Sequence, residues 1–294
     1  MLTLTTSGEL RAELALWQAR GKTVGFVPTM GALHTGHLSL VRLARERADR
    51  VVASVFVNPT QFAPGEDFGR YPRQPEVDAG LLEDAGCDLL FLPDVETVYP
   101  PGHTTSVDPG PLGEGLEGAH RPGHFRGVAT VVSALFNLMR PDLAVFGDKD
   151  AQQLAVICRV VRDLHIPVEI VAAPTVREED GLAMSSRNVF LSPVERQAAT
   201  VLYRALSAAA SAVAAGERRG DEVRRILRAV LAEEPLARVD YAEVVDADTF
   251  QPVADLNGLA GKIVLPLAVR IGSTRLIDNF QLALDGDPAA PEEE

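Results

Sequence analysis

Five short stretches of the chain are apolar almost without interruption: residues 23–28 (TVGFVP), 51–57 (VVASVFV), 88–93 (DLLFLP), 143–146 (LAVF) and 168–172 (VEIVA). A strand with one face in water alternates apolar and polar side chains. A run without alternation predicts a strand covered on both faces, the condition of a parallel sheet. Between these runs the spacing changes to that of helices. Leu10, Leu14 and Trp17 recur on one helical face, and residues 36–48, 75–85, 127–139 and 151–164 read as further helices. Strand and helix in alternation predict a doubly wound, Rossmann-like α/β domain with a parallel sheet. Ligands of such sheets bind beyond the carboxyl ends of the strands, so chemistry is expected directly after each run.

Past residue 176 the character changes. Residues 193–215 read as one long Ala-rich helix and 221–232 as another, followed by strand-like segments at 239–245, 262–269 and 274–282. The expected organisation is therefore a nucleotide- and substrate-binding domain over 1–176 and a smaller α+β domain over 177–284. The acidic, Pro-containing residues 285–294 are expected to form a disordered tail. There is no internal repeat and no N-terminal basic-plus-apolar signal. No apolar run approaches the roughly 18 residues that cross a bilayer, so no membrane association and a cytoplasmic location are expected. A net charge of −13 repels phosphate backbones and argues against nucleic acid as a partner. Cys87 and Cys158 lie beside apolar segments and are expected to be reduced, buried thiols.

Of the 28 basic residues only Lys22, Lys149 and Lys262 are lysines, so each asks why arginine does not stand there. Lys149 lies in Gly147-Asp148-Lys149-Asp150, directly after the fourth run. A compact ammonium suits a tight phosphate contact where a guanidinium fork does not fit, although a solvated turn gives the same pattern. After the first run comes Met30-Gly31-Ala32-Leu33-His34-Thr35-Gly36-His37. Here two imidazoles near a helix start can donate to phosphate oxygens, because helix N-termini favour anions. Two surface histidines are the plainer reading, and a zinc site would need further Cys or His ligands that do not accompany the pair. Asn58-Pro59-Thr60-Gln61-Phe62 follows the second run and offers Gln61 as a polar reader of substrate. Of Gln152 and Gln153, the first reads better as a helix-surface residue. Residues 118–127 (GAHRPGHFRG) combine glycine with cations in an acidic chain, the composition of a mobile loop over an anionic substrate. Met184-Ser185-Ser186-Arg187-Asn188, near the domain boundary, can close on a triphosphate or on leaving pyrophosphate, or simply cap a helix.

His34-Thr35-Gly36-His37 resembles the HxGH signature of the HIGH nucleotidyltransferase superfamily, and Met184–Arg187 its second phosphate-binding signature. In this order and spacing VPTMGALHTGH, FVNPTQF, RPGHFRGV, FGDKD and SSRN resemble the pantothenate synthetase family over residues 1–283. The resemblance implies that pantoate is joined to β-alanine through a pantoyl adenylate, with ATP cleaved to AMP and pyrophosphate. It implies that Met30, Gly31, Ala32, Leu33, His34, Thr35, Gly36 and His37 bind ATP. His34 and His37 would contact its phosphates, and His37 would be the proton donor. Gly147, Asp148, Lys149 and Asp150 would bind ribose and phosphate, with Lys149 on the phosphates. Val176 would meet adenine through its backbone, and Met184, Ser185, Ser186 and Arg187 would complete the ATP site. Gln61, Gln153, Asn58 and Arg121 would hold pantoate and β-alanine. Mg²⁺ carried on the phosphates and a cytoplasmic homodimer are likewise implied. Asp148 stands where relatives often carry Glu or Gln, so no role is expected of its side chain. The reading requires His37, Lys149 and Arg187 to reach one triphosphate. Another nucleotidylyltransferase of the superfamily, or a nucleotide sensor without catalysis, are the other readings these motifs allow.

Overall fold

A computed structural model describes residues 1–63, 66–259 and 261–284; the predicted tail at 285–294 lies outside the described residues. Contacts divide the chain into two groups, Met1–Asp148 with Val156–Thr175, and Lys149–Ala155 with the residues from Val176 onward.

The first group is built on a six-stranded parallel sheet. Its strands are β1 (Leu2–Leu4), β2 (Val24–Thr29), β3 (Arg50–Val55), β4 (Leu89–Phe91), β5 (Leu143–Gly147) and β6 (Glu169–Ala173), in the spatial order β1-β4-β3-β2-β5-β6. The neighbouring pairs are all parallel. Helices α1 (Ser7–Ala19), α2 (Thr35–Arg47), α3 (Pro75–Asp84), α4 (Val95–Val98), α5 (Glu117–His120), α6 (His124–Met139) and α7 (Ala151–Asp163) separate the strands. Phe26, Val27, Val51, Val52, Ala53, Leu89, Phe91, Ala144 and Val145 are all fully buried, which is why their runs show no alternation. From β2 the chain steps outward through β3 to β4, then returns to β5 on the other side of β2 and continues to β6. The order therefore reverses between β2 and β5, and the carboxyl ends of these two strands frame the switch point where such sheets bind ligands.

One strand escapes the sequence reading. β1 is only three residues long, half exposed, and lies at the sheet edge beside β4 with Leu2 opposite Leu89. Too few residues are present to establish a period. Cys87 is buried as expected, whereas Cys158 is exposed on α7 and is no core residue. Among the described residues no helix is long and apolar enough to cross a membrane.

In the second group β7 (Ala237–Ala242), β9 (Lys262–Ile271) and β10 (Thr274–Ala283) form an antiparallel sheet, with the short β8 (Val245–Asp246) also on β9. Helices α8 (Pro193–Ala198), α9 (Val201–Ala214) and α10 (Gly220–Leu231) precede it. Leu202, Leu206, Val223, Leu227, Ile263, Leu265 and Leu267 share one core. The single long helix expected over 193–215 is two helices. Thr200 donates its hydroxyl to the Gln197 carbonyl at 2.8 Å and its N–H to the same oxygen at 3.2 Å, a local pattern that competes with the regular helical ladder.

Candidate active site

The turn after β2 is held from behind. Gly31 and Ala32 both have left-handed backbone, with φ of 82° and 53°. That geometry aims the N–H groups of Ala32 and Leu33 at the two carboxylate oxygens of Asp78, at 3.0 and 2.9 Å. Asp78 lies on α3 and is 1% exposed. A Cβ on residue 31 would fall 2.8 Å from its Oδ2, so the positive φ and the close approach both call for glycine there. Thr29 ties the turn to β3, donating its hydroxyl to the Ser54 carbonyl at 2.8 Å and accepting the Gly31 N–H at 3.2 Å.

The chain then enters α2 through a capping box made of two imidazoles. His34 is the N-cap and its Nδ1 accepts the Gly36 N–H at 3.1 Å. His37, three residues on, reaches back so that its Nδ1 accepts the His34 N–H at 3.3 Å. The ring centroids are 4.1 Å apart. Serine or threonine with glutamate does this in most such boxes, as Thr6 and Glu9 do for α1 and Ser192 and Glu195 for α8. With Nδ1 accepting, each neutral ring carries its proton on Nε2, and both Nε2–H groups are donors at a helix start.

The loop after β3 forms a buried amide network. Asn58 donates Nδ2 to Gln61 Oε1 at 2.9 Å and to the Gly127 carbonyl at 3.2 Å, while its Oδ1 accepts the Tyr99 hydroxyl at 2.8 Å. Gln61 Nε2 in turn lies 3.2 Å from Met30 Sδ. Segments thirty residues apart in sequence thus meet at the strand ends.

Residues 118–127, expected as an open mobile loop, are mostly helical: α5 ends at His120 and α6 begins at His124, separated by a left-handed Gly123. His124, Phe125 and Gly127 are buried because the first turn of α6 packs on the 3-10 turn Pro59–Gln61. The cations are engaged within the protein. Arg121 makes a bidentate pair with Glu66, 3.0 Å on each side, and donates to His124 Nε2 at 3.1 Å. His124 Nδ1 donates to the Gln61 carbonyl at 2.9 Å. Burial and the Arg121 charge push the His124 imidazole down to about 4, against the hydrogen bond to Gln61 and the charges of Glu117 and Glu66. Burial opposes ionisation of Glu66, but Arg121 and the Ala63 N–H outweigh it and hold the carboxyl below its usual range.

In the second group Lys149 sits in the 3-10 turn Asp148–Asp150, and its carbonyl accepts Asn279 Nδ2 at 2.8 Å. The Val176 carbonyl accepts the Met184 N–H at 3.0 Å, and Arg177 and Ala183 bridge, so residues 176–184 fold back as a hairpin. Arg177 anchors it through a two-pronged ion pair to the buried Asp278, at 2.7 and 2.9 Å, with its guanidinium between the rings of Tyr203 and Phe280. Ser185 then caps the 3-10 turn Ser186–Phe190 by accepting the Arg187 N–H at 3.2 Å, and Asn188 donates to Glu178 and to the Ala183 carbonyl.

The model of the family described as pantoate-beta-alanine ligase matches residues 2–281. A pantothenate synthetase of Roseiflexus sp. (strain RS-1) is 57% identical over 282 residues, 96% of this chain and 99% of that one. The crystal structure of pantothenate synthetase from Thermus thermophilus superposes with a TM-score of 0.88 at 53% identity, covering 95% of this chain and 99% of that one. A pantoate-beta-alanine ligase from Francisella tularensis, solved in complex with beta-gamma ATP and beta-alanine, gives a TM-score of 0.74 at 32% identity, covering 95% and 97%. The chain belongs to the pantoate–β-alanine ligase family.

In this ligase Met30–His37, Asn58, Gln61, Arg121, Gly147 and Asp148 fall in the first contact group. Lys149, Asp150, Gln153, Val176 and Met184–Arg187 fall in the second. The network through Met30, Gln61, Asn58 and Gly127 joins three of the motif segments directly. Asp148, given no side-chain role from sequence, accepts the Thr175 hydroxyl and so ties the end of β5 to the segment after β6. Gln152, read as a surface residue, is buried: it shares a helical face with Val156 and Val160, at i+4 and i+8. Asp78, Glu66, Asp278 and Asn279 escaped the sequence reading. Asp78 looks like an ordinary acidic residue in the first turn of a helix, and only the fold reveals the two N–H groups facing it.

Proposed function

We propose that this ligase joins pantoate to β-alanine through a pantoyl adenylate. Ligation of pantoate to β-alanine is the activity of its family, and ATP and β-alanine are small-molecule substrates of it. A carboxylate is a poor acyl donor because its oxygen leaves badly. Attack of a pantoate carboxylate oxygen on the α-phosphorus of ATP breaks the bond to the β-phosphate oxygen, releases pyrophosphate and leaves a mixed anhydride. The uncharged amine of β-alanine then attacks the carbonyl carbon, AMP departs with the electron pair of the broken C–O bond, and the amine proton is lost.

The first half needs two anions held together and charge neutralised on the leaving pyrophosphate, for which positioning and electrostatics suffice. The observation that best supports this reading is the imidazole capping box, which fixes the His34 and His37 Nε2–H donors at the start of α2, directly after the strand at the switch point. In this reading those donors meet phosphate oxygens and His37 supplies the proton. Lys149, Ser185, Ser186 and Arg187 neutralise the departing pyrophosphate, with Met184 beside them. Gly147, Asp148 and Asp150 border the ribose, and Val176 meets adenine through its backbone. Gln61 and Gln153 with Asn58 hold pantoate, and Gln61 also places β-alanine. Mg²⁺ bound to the nucleotide supplies further charge neutralisation. The resemblance puts that ion on the phosphate oxygens; among the described residues no group of three or more His, Cys, Asp or Glu is arranged to hold a metal. The family resemblance supports a cytoplasmic homodimer, and sedimentation measures that state.

The decisive assay measures AMP release with pantoate and β-alanine supplied together and separately. Release only with both, together with pantoate-dependent exchange of pyrophosphate into ATP in the absence of β-alanine, is the expected outcome. AMP release without pantoate, or a product that retains the nucleotide, contradicts the reading.

A further inference from the structure

The cluster formed by Glu66, Arg121 and His124 stands behind the candidate substrate loop. We propose that His124 is a positioning residue for substrate binding, holding the Gln61 main chain through its Nδ1–H in a tautomer set by Arg121, itself oriented by Glu66. This rests on the reading that Gln61 contacts pantoate and β-alanine.

The Gln61 carbonyl can only accept, so the 2.9 Å contact requires the proton on Nδ1. Arg121 can only donate, so its 3.1 Å contact requires Nε2 to accept. One neutral tautomer satisfies both, and a doubly protonated ring would set an N–H against the guanidinium. Glu66 fixes that guanidinium with two parallel bonds, and a second Arg121 nitrogen reaches the Gln61 carbonyl at 3.4 Å. The charged groups acting on the ring are therefore Arg121, Glu66 and Glu117. At the other end of the same residue Asn58 holds Oε1. With the carbonyl and Oε1 both fixed, the direction of the Gln61 amide nitrogen is set before any ligand arrives. Arg121 thereby acts through Gln61 rather than on the substrate.

Two amides separate this role from simple core packing. His124→Asn places an N–H near the position of Nδ1, and His124→Gln places its amide near Nε2. The asparagine variant is expected to keep kcat/KM for pantoate within about threefold of the parent, while the glutamine variant loses about ten- to hundredfold, the scale of a lost hydrogen bond or a displaced contact. The KM for ATP stays within about threefold in both, because the His34–His37 loop is anchored separately by Asp78. Glu66→Gln, at a partly exposed position, is expected to lower pantoate kcat/KM about fivefold, the effect of weakening a charge-assisted bond, and gives the test if either histidine variant fails to fold. Equal losses in the two histidine variants, equal losses toward ATP and pantoate, or unchanged kinetics in Glu66→Gln overturn the proposal. Gln61→Ala run in parallel checks the reading beneath it. Unchanged pantoate kinetics there remove Gln61 from the substrate site, whereas impaired Gln61→Ala with a parent-like His124→Gln refutes the positioning role alone.

Discussion

Gly127→Ala adds one carbon atom where the first turn of α6 meets the loop after β3. A Cβ at that position would lie 2.4 Å from the Thr60 carbonyl oxygen, 2.6 Å from its carbon and 2.7 Å from Gln61 Cα. Ordinary non-bonded contact begins near 3.5 Å, so the two backbones must part by about 1 Å. Both partners are main chain, and no rotamer change relieves the clash. Overpacking of this kind costs about 1–3 kcal/mol. Alanine in a helix recovers about 1 kcal/mol relative to glycine, so the net loss is roughly 0–2 kcal/mol and the fold survives. The displacement falls on Gln61 and on the bond from Asn58 Nδ2 to the Gly127 carbonyl. A misplacement of about 1 Å in a substrate-positioning group costs on the order of 10²-fold, here in kcat/KM for pantoate.

The assay is steady-state AMP release with pantoate varied at saturating ATP and then the reverse, beside a thermal melt. Gly80→Ala on α3 is the control, since its Cβ would meet nothing within 4 Å. It should add about 0.5–1 kcal/mol of stability and leave the kinetics alone. A folded Gly127→Ala enzyme with pantoate kcat/KM within threefold of the parent would refute the argument that the α6 contact sets the Gln61 position.

Lys149→Ala should lower turnover about 10²–10³-fold, as loss of one transition-state donor does, and near-parental rates would remove it from the phosphate site. Asp78→Asn sets an amide NH₂ where two backbone N–H groups need acceptors, so about 1–3 kcal/mol of stability should be lost and the KM for ATP should rise; denaturant melts and ATP titration check both. His124 binds its proton less readily folded, at about 4, than unfolded, at 6.5. Its contribution to stability is therefore complete above pH 6.5 and is lost as pH falls toward 4, up to about 3 kcal/mol. The wild-type stability slope between pH 6.5 and 4 should flatten in His124→Asn, and an unchanged slope would assign the acid lability to Glu66 and the other carboxylates instead.

The parallel sheet was legible because its central strands are buried on both faces, which removes alternation from their sequence; β1, with three half-exposed residues, leaves no such mark. The order of the strands was not legible, since it is set by which crossover lies on which side, and so the switch point emerged only with the fold. His34, His37 and Gln61 stood out as candidates because they follow apolar runs. The helix break at Thr200 depends on one hydroxyl choosing a local carbonyl, and alanine-rich composition conceals it. The resemblance implies a substrate contact for Arg121, while its ion pair with Glu66, 55 residues away, has no local pattern to announce it.

Three of the anchoring residues have a physical feature in common. Asp78 grips the backbone N–H groups of residues 45 and 46 positions away, His124 a carbonyl 63 away, and Asn279 the Lys149 carbonyl 130 away. Each of these takes hold of main chain, which fixes a segment without occupying the side chain proposed to meet ligand. The ordering cost then falls on folding rather than on binding or on the transition state. This makes a prediction about coupling. Gly127→Ala and His124→Gln both act by displacing Gln61, so once either has moved it the other has little left to disturb. The double variant should fall short of the product of the single losses by the 0.5–3 kcal/mol typical of groups that share a partner. His124→Gln paired with Gly80→Ala, whose added Cβ meets nothing within 4 Å, should show no such shortfall. Full multiplication in the first pair would mean that α6 and His124 reach the substrate by separate routes.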